Sequence, residues 1–232
     1  SLIVFLSIYF LLYSEILYIY FFVGLSLFLI GYLDDIKIKI SANIRLMMMI
    51  VFLVTLIIIL PIKIYSIDLI FLSLWLKNYF FSVIFVLICL LFVVNGANLI
   101  DGFNGLLAIN LIIINSILLS INLTNNNLEF SFFLTAQIIV LTSFLIFNFP
   151  KAKIFLGDSG SYLFGSMVAL NIISTNNLQT HISAFFFCIL LFYLFFEVFF
   201  SFFRKILQKK SPFLPDQNHL HMLVYKNLEK KF

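Results

Sequence analysis

The chain has 232 residues, of which 63% are hydrophobic and only 10% charged, with a mean hydropathy of +1.17. Charged side chains this sparse exclude a soluble globular domain. The formal net charge of +4 is scattered over connecting segments, and no basic, aromatic-interleaved soluble face exists, which excludes a nucleic-acid partner.

Apolar runs near the roughly 20 residues that cross a bilayer core predict helices at residues 2–13, 16–33, 46–64, 79–94, 106–122, 130–147, 161–174 and 183–203. The first reads as the remnant of a longer span. The helix at 161 has room to begin earlier, inside the GDSGS segment. Residues 67–76 are apolar but brief, and read as interfacial or hairpin-like. The expected fold class is all-α: a polytopic integral membrane helical bundle of about seven to eight spans. Residues 1–203 are expected to form a transmembrane catalytic domain, and residues 204–232 a cytoplasmic basic loop with a His-x-His motif. A start at Ser1 rather than Met, with an apolar run already under way, predicts a fragment truncated at its N-terminus, with further spans after the loop in the intact protein. Cys89 and Cys188 lie inside apolar runs without metal-ligand spacing and read as packing residues.

Threading the spans alternately puts 12 of the 14 Lys and Arg residues on one side, leaving Lys63 and Lys77 opposite. Positive loops stay cytoplasmic. Four polar islands share that side: residues 31–46 (GYLDDIKIKISANIRL), 95–106 (NGANLIDGFNGL), 147–165 (FNFPKAKIFLGDSGSYLFG) and 215–226 (PDQNHLHMLVYK). Carboxylates at the mouths of membrane helices are costly to keep and mark function by default.

In the first island Asp34 and Asp35 are adjacent, so their charges repel and call for a nearby cation. They read either as a solvated helix end or as a base or nucleophile beside a metal-bound phosphate. Adjacent side chains on a helix end point about 100° apart, so the two roles should differ. Asp35 is favoured as the inward member because it lies nearer Lys37 and Lys39. The second island mixes Asn95, Asn98, Asp101 and Asn104 with glycines, a composition that suits an ordinary turn and an oxygen-ligand site equally. In the third, Asp158 sits between Gly157 and Ser159 at a helix start, where free amides suit phosphate and the carboxylate suits a metal; the bland alternative is a helix cap. In the fourth, His219 and His221 share a face only if the backbone is extended, which Pro212 and Pro215 upstream favour, and phosphate or sugar contact suits them better than a metal pair. His181 stands alone on the opposite side and reads as incidental. Glu197, within the last span, has no evident task.

These islands, in this order and spacing, resemble the polyprenyl-phosphate N-acetylhexosamine-1-phosphate transferases, which also include the phospho-MurNAc-pentapeptide transferases and the eukaryotic dolichyl-phosphate GlcNAc-phosphotransferases. The double Asp, the NGANLIDGFNGL run and the FLGDSGS run carry the likeness over residues 31–226. The resemblance implies that Asp34 and Asp35 activate the lipid phosphate, that Asp158 and Asn98 bind Mg²⁺ (with Mn²⁺ as an alternative), and that Phe155 stacks on the uracil. Asn104 stands where many bacterial members carry Asp near the nucleobase. The HLHML run is closer to the GlcNAc-1-phosphate-type branch, with Met222 replacing a further His.

The resemblance therefore implies catalytic roles for Asp34, Asp35, Asp101 and Asp158, and nucleotide or sugar contacts from Asn95, Asn104, Phe155, His219 and His221. The expected reaction joins polyprenyl (undecaprenyl) phosphate and a UDP-N-acetylhexosamine, releases UMP and initiates a lipid-linked surface glycan such as O-antigen. The expected setting is the bacterial inner membrane with the site facing the cytoplasm, and a homodimer is left open. Two other readings stand beside it. A phospho-MurNAc-pentapeptide transferase would use the same islands, whereas an ion or solute transporter would place acidic residues near mid-span.

Overall fold

The computed structural model describes residues 18–36, 40–60, 62–65, 67–209, 211 and 218–229, and among them every regular element is a helix. In chain order these are α1 (Tyr18–Asp35), α2 (Ala42–Ile59), α3 (Ile70–Leu76), α4 (Tyr79–Ile100) and α5 (Leu106–Thr124), then α6 (Leu128–Asn148), α7 (Gly157–Leu178), α8 (Ala184–Leu190), α9 (Phe192–Leu207) and α10 (Leu220–Glu229). Helices α1, α2, α4, α5 and α6 are each long and apolar enough to cross a membrane, and α8 with α9, bent by 67° at their junction, are so only when taken together as a broken span or re-entrant pair. The molecule is an all-α polytopic membrane bundle. The expected segment at 2–13 lies outside the described residues.

Helix α7 is the axis of the bundle. Nearly every side chain from Ser159 to Ile173 is buried, and the helix packs chiefly against α1 and α4, with α5 on a third side. Its low apolar content follows from this position: a helix shielded from lipid by its neighbours can carry Ser, Asn and Thr, provided they find partners. They do. Asn171 donates to Asn115 of α5 at 3.0 Å and to Gln137 of α6 at 2.9 Å, and Gln137 donates back to Asn171 at 3.3 Å. One turn on, Asn122 donates to Thr175 at 3.1 Å. All five side chains are fully buried.

Helix ends follow from local chemistry and tertiary partners. Ser41 caps α2 and Asn78 caps α4, each accepting from an amide three residues on. Helix α4 runs six residues past the predicted end at 94. The reason is that Asn98 finds side-chain partners on α7, which keeps the polar end of the segment helical. Helix α7 starts at Gly157, inside the GDSGS segment that left room for an earlier start than Ser161. The predicted span at 183–203 breaks at Leu191, and its second half continues to Leu207. The predicted interfacial segment contains the short helix α3.

Candidate active site

One end of the bundle gathers the polar islands through contact between α1, α2, α4 and α7. Asp34, in the last turn of α1, meets the Arg45 guanidinium at the start of α2. The same Arg45 Nη1 donates to Asp158 Oδ2 at 2.7 Å. Asn98 of α4 donates to the other oxygen of Asp158, also at 2.7 Å, and to Ser161 Oγ at 3.1 Å. Arg45 further lies over the Tyr162 ring, 5.8 Å from its centroid. Four helices thus contribute one charged or amide group each to a single cluster, with Asp34, Arg45 and Asp158 only 22–30% exposed. Ion pairs shielded to this degree are screened less than surface pairs.

The two adjacent aspartates point apart. Asp35 accepts from the backbone amides of Asp158 and Ser159, each at 3.0 Å, and from Ser159 Oγ at 2.5 Å. It therefore occupies the free amides at the start of α7, where the helix dipole favours a negative charge. Asp34 is the member of the pair that joins the Arg45–Asp158 cluster, whereas Asp35, favoured as the inward one, takes the α7 amides expected to face a phosphate. Lys37 and Lys39, which had favoured Asp35, lie outside the described residues. Close approach of α1 to α7 depends on glycine: a Cβ at Gly31 would sit 2.5 Å from the Asp158 carbonyl, and one at Gly157 would sit 2.7 Å from Asp35 Oδ2. Gly157 also has φ +70°, a conformation that L side chains rarely adopt.

Asp101 follows directly on α4, and its carboxyl is pushed up to about 7, first by burial and then by the charges of Asp158 and Asp35. The loop it opens is stitched to the next island: Asn104 donates to the Pro150 carbonyl at 3.1 Å, while Asn148 accepts from the Gly105 amide and donates to the Ile154 carbonyl at 2.8 Å. Phe155 is 78% exposed on that second loop, and so offers an open ring face. Asn95 returns its amide to the Leu91 carbonyl within α4 at 2.7 Å, and among the described residues it joins none of the carboxylates.

His219 and His221 flank the first residue of α10. Their rings stack at 5.7 Å with 9° between planes, so the helix start itself aligns them and an extended strand is not required. Pro212 and Pro215 lie outside the described residues. His221 is 8% exposed, packs edge-on to Phe103 at 5.0 Å, and reaches Gly102, where a Cβ would meet its Nε2 at 2.6 Å. Among the described residues neither of its ring nitrogens has a hydrogen-bond partner, and burial is the main cause that lowers its pKa. The fourth island is thereby brought against the second.

A sequence profile described as Glycosyl transferase family 4 matches residues 17–176. The chain belongs to glycosyl transferase family 4. Among its relatives, the undecaprenyl-phosphate alpha-N-acetylglucosaminyl 1-phosphate transferase of Thermotoga maritima is 31% identical over 147 residues, 63% of this chain and 44% of that protein. A Bacillus subtilis protein named "Probable undecaprenyl-phosphate N-acetylglucosaminyl 1-phosphate transferase" is 33% identical over 135 residues, 56% of this chain and 36% of its own length. The phospho-N-acetylmuramoyl-pentapeptide-transferase of Leuconostoc citreum is 42% identical, but over only 76 residues, 33% of this chain and 24% of the relative. The chain thus spans less than half the length of the curated relatives it matches. The matched residues take in the first three islands and agree with the resemblance these carry.

Sequence reasoning missed Arg45 as a site residue. One of only two arginines in the chain, it is a full charge at the mouth of an apolar helix, and that isolation is the signal available. Ser161 and Asn148 were equally unmarked, since buried hydrogen-bond partners in loops and helix starts follow no spacing rule.

Proposed function

We propose that this family member transfers N-acetylhexosamine-1-phosphate from a UDP-sugar to polyprenyl phosphate, releasing UMP. The observation that carries the reading is the cluster of Asp34, Arg45, Asp158 and Asn98, built from four helices at one end of the bundle. The names of the Thermotoga and Bacillus relatives support the lipid acceptor and the sugar branch. A membrane bundle suits the task, since the polyprenyl tail stays in lipid while the nucleotide sugar arrives from water. The site is proposed to face the cytoplasm of a bacterial inner membrane.

In this reading Arg45 draws in the phosphate, and Asp34 lies beside it to orient or deprotonate the attacking lipid phosphate. Asp35 holds the α7 start, and with it Asp158, in place. His221 offers a buried ring, with both nitrogens unsatisfied among the described residues, to the anionic part of a substrate. Asn104 and the exposed Phe155 are proposed to meet the nucleobase, with stacking on the Phe155 face. Mg²⁺ is the proposed metal, with Mn²⁺ as an alternative. Asp158 and Asn98 would hold it, and when bound it would spread the charge developing on the diphosphate. Among the described residues no three His, Cys, Asp or Glu side chains form a preassembled metal cage. Mg²⁺ ordinarily takes one or two carboxylates and completes its shell with water and substrate phosphate, so one carboxylate and one amide oxygen suit it by type. Asp158 here accepts from Arg45 and from the Asn98 amide nitrogen, however, and the metal would have to displace one of these donors and take Asn98 through its Oδ1.

The test is UMP release by the full-length protein given undecaprenyl phosphate and a panel of UDP-sugars that includes UDP-N-acetylglucosamine and UDP-MurNAc-pentapeptide. Release with the first and none with the second supports the reading. The reverse outcome assigns the chain to peptidoglycan synthesis, and no release with any sugar contradicts both.

A further inference from the structure

Glu197 is a carboxylate with no solvent exposure on α9, a helix otherwise made almost wholly of aromatic and aliphatic side chains. A charge so placed is tolerated only when it is fully engaged. Among the described residues its hydrogen-bond partners come from the fourth island. Oε1 lies 2.9 Å from His219 Nδ1 and accepts from the Leu220 amide at 3.1 Å, while Oε2 accepts from the same amide at 3.3 Å. Leu220 is the first residue of α10, so its N–H is one of the donors that a helix start leaves unpaired. One buried carboxylate in the last span therefore performs two tasks at once: it caps α10 from outside and fixes the ring of His219.

The contact propagates. With Nδ1 of His219 directed at a carboxylate, the ring carries its proton there in the neutral form, and its plane is set. His221 stacks parallel to that ring and is thereby held against Gly102 and Phe103, beside the Asp101 loop. Among the described residues both nitrogens of His221 remain unsatisfied, which is the state expected of a group held ready for a ligand.

We infer that Glu197 is a positioning residue of the transferase site, acting through His219 to set the ring orientation of His221. The inference rests on the proposed transferase reading for what His221 meets, but not for the Glu197–His219 contact itself. Glu197 touches no substrate in this account.

The experiment uses the full-length protein in lipid nanodiscs with ¹⁵N-labelled histidine; the described chain has three histidines, which makes assignment tractable. Wild type should show His219 protonated at Nδ1. Glu197→Gln can still accept from Leu220 but offers no charge to His219, so the Nδ1–H signature should weaken while α10 stays docked. Its kcat for UMP release should fall on the order of tenfold or more, as when a carboxylate that orients a functional imidazole is removed. KM for the UDP-sugar should move less than threefold. Glu197→Asp, which keeps the charge on a shorter arm, should recover part of the rate. A wild-type His219 protonated only at Nε2 would overturn the inference even if Glu197→Gln failed to fold. So would a Glu197→Gln protein with wild-type kcat. If wild type releases no UMP from any sugar, the transferase reading fails, and the nitrogen spectra still decide whether Glu197 orients His219.

Discussion

Asp34 and Asp35 are neighbours in sequence with different physical tasks. Asp34 shares Arg45 with Asp158, whereas Asp35 satisfies the α7 amides. Removing the charge of Asp34 leaves Arg45 with one partner and the attacking phosphate without a neighbour. Asp34→Asn is therefore expected to lower kcat on the order of a hundredfold, in line with losses of single electrostatic groups from active sites. Asp35→Asn should cost mainly stability, about 1 kcal/mol as for a lost helix cap, with a smaller loss of rate. Purified variants compared by UMP release and by thermal unfolding separate the two. Asp101 gives a pH signature. Its carboxyl sits near 7 in the folded protein against an ordinary 3.8, so the folded state holds a proton that the unfolded chain releases. Its contribution to stability is present below about pH 4 and is lost as pH rises through about 7. Unfolding temperature without divalent cations should fall across that window, and Asp101→Asn should flatten the fall. At this scale the costly charges were legible in sequence because an apolar chain cannot hide them. Arg45 was not, because its partners lie 11 and 113 residues away and only tertiary approach joins them. The choice between Asp34 and Asp35 was equally invisible, since it depends on which carboxylate the rotation of α1 turns toward the start of α7.

Among the helices, the contact of α1 with α7 decides whether the site exists. Gly157 combines φ +70° with Asp35 at its vacant Cβ position. Gly157→Ala should destabilise the fold by about 1 kcal/mol through the left-handed conformation alone, and further by pushing Asp35 off the α7 amides. Thermal unfolding in detergent measures this, and an unchanged midpoint would show that α1 and α7 do not need so close an approach. Apolar run length made most spans legible to within a few residues. Two features escaped it for physical reasons. Helix α4 extends because Asn98 is satisfied across the bundle rather than by water, and the 67° break at Leu191 falls inside an apolar run without Pro or Gly to mark it. The buried amides of Asn115, Gln137 and Asn171 are likewise isolated letters in apolar stretches, and only the fold makes them a network.

At the level of the whole molecule, the bundle has two unlike ends. One joins Asp34, Asn98, Asp158 and His221. The other joins Asn177 to the Lys63 carbonyl and Ser183 to Asp68. The excess of Lys and Arg on the first end predicts that it is cytoplasmic. With Cys89 and Cys188 replaced by Ser, single cysteines at Asn104, Lys151 and Lys226 should resist a membrane-impermeant thiol reagent in intact cells, while one at Lys63 should react. Labelling of any of the first three from outside would break the single-site account. The side of the membrane is an inference from charge counting, whereas the meeting of the first three islands at one end is visible directly in the hydrogen bonds, and that of the fourth in the packing of His221 on Phe103 and Gly102.

The central claim is that the Asp34–Arg45–Asp158–Asn98 cluster is the reaction centre and not a set of structural ion pairs. Asp158 touches every member of it through Arg45 or Asn98, so its removal is the most direct test. UMP release by full-length Asp158→Ala, folded as judged by a monodisperse elution profile, should fall at least on the order of a thousandfold at saturating Mg²⁺. Turnover within a few-fold of wild type would contradict the account and leave Asp158 as a helix-start residue paired with Arg45.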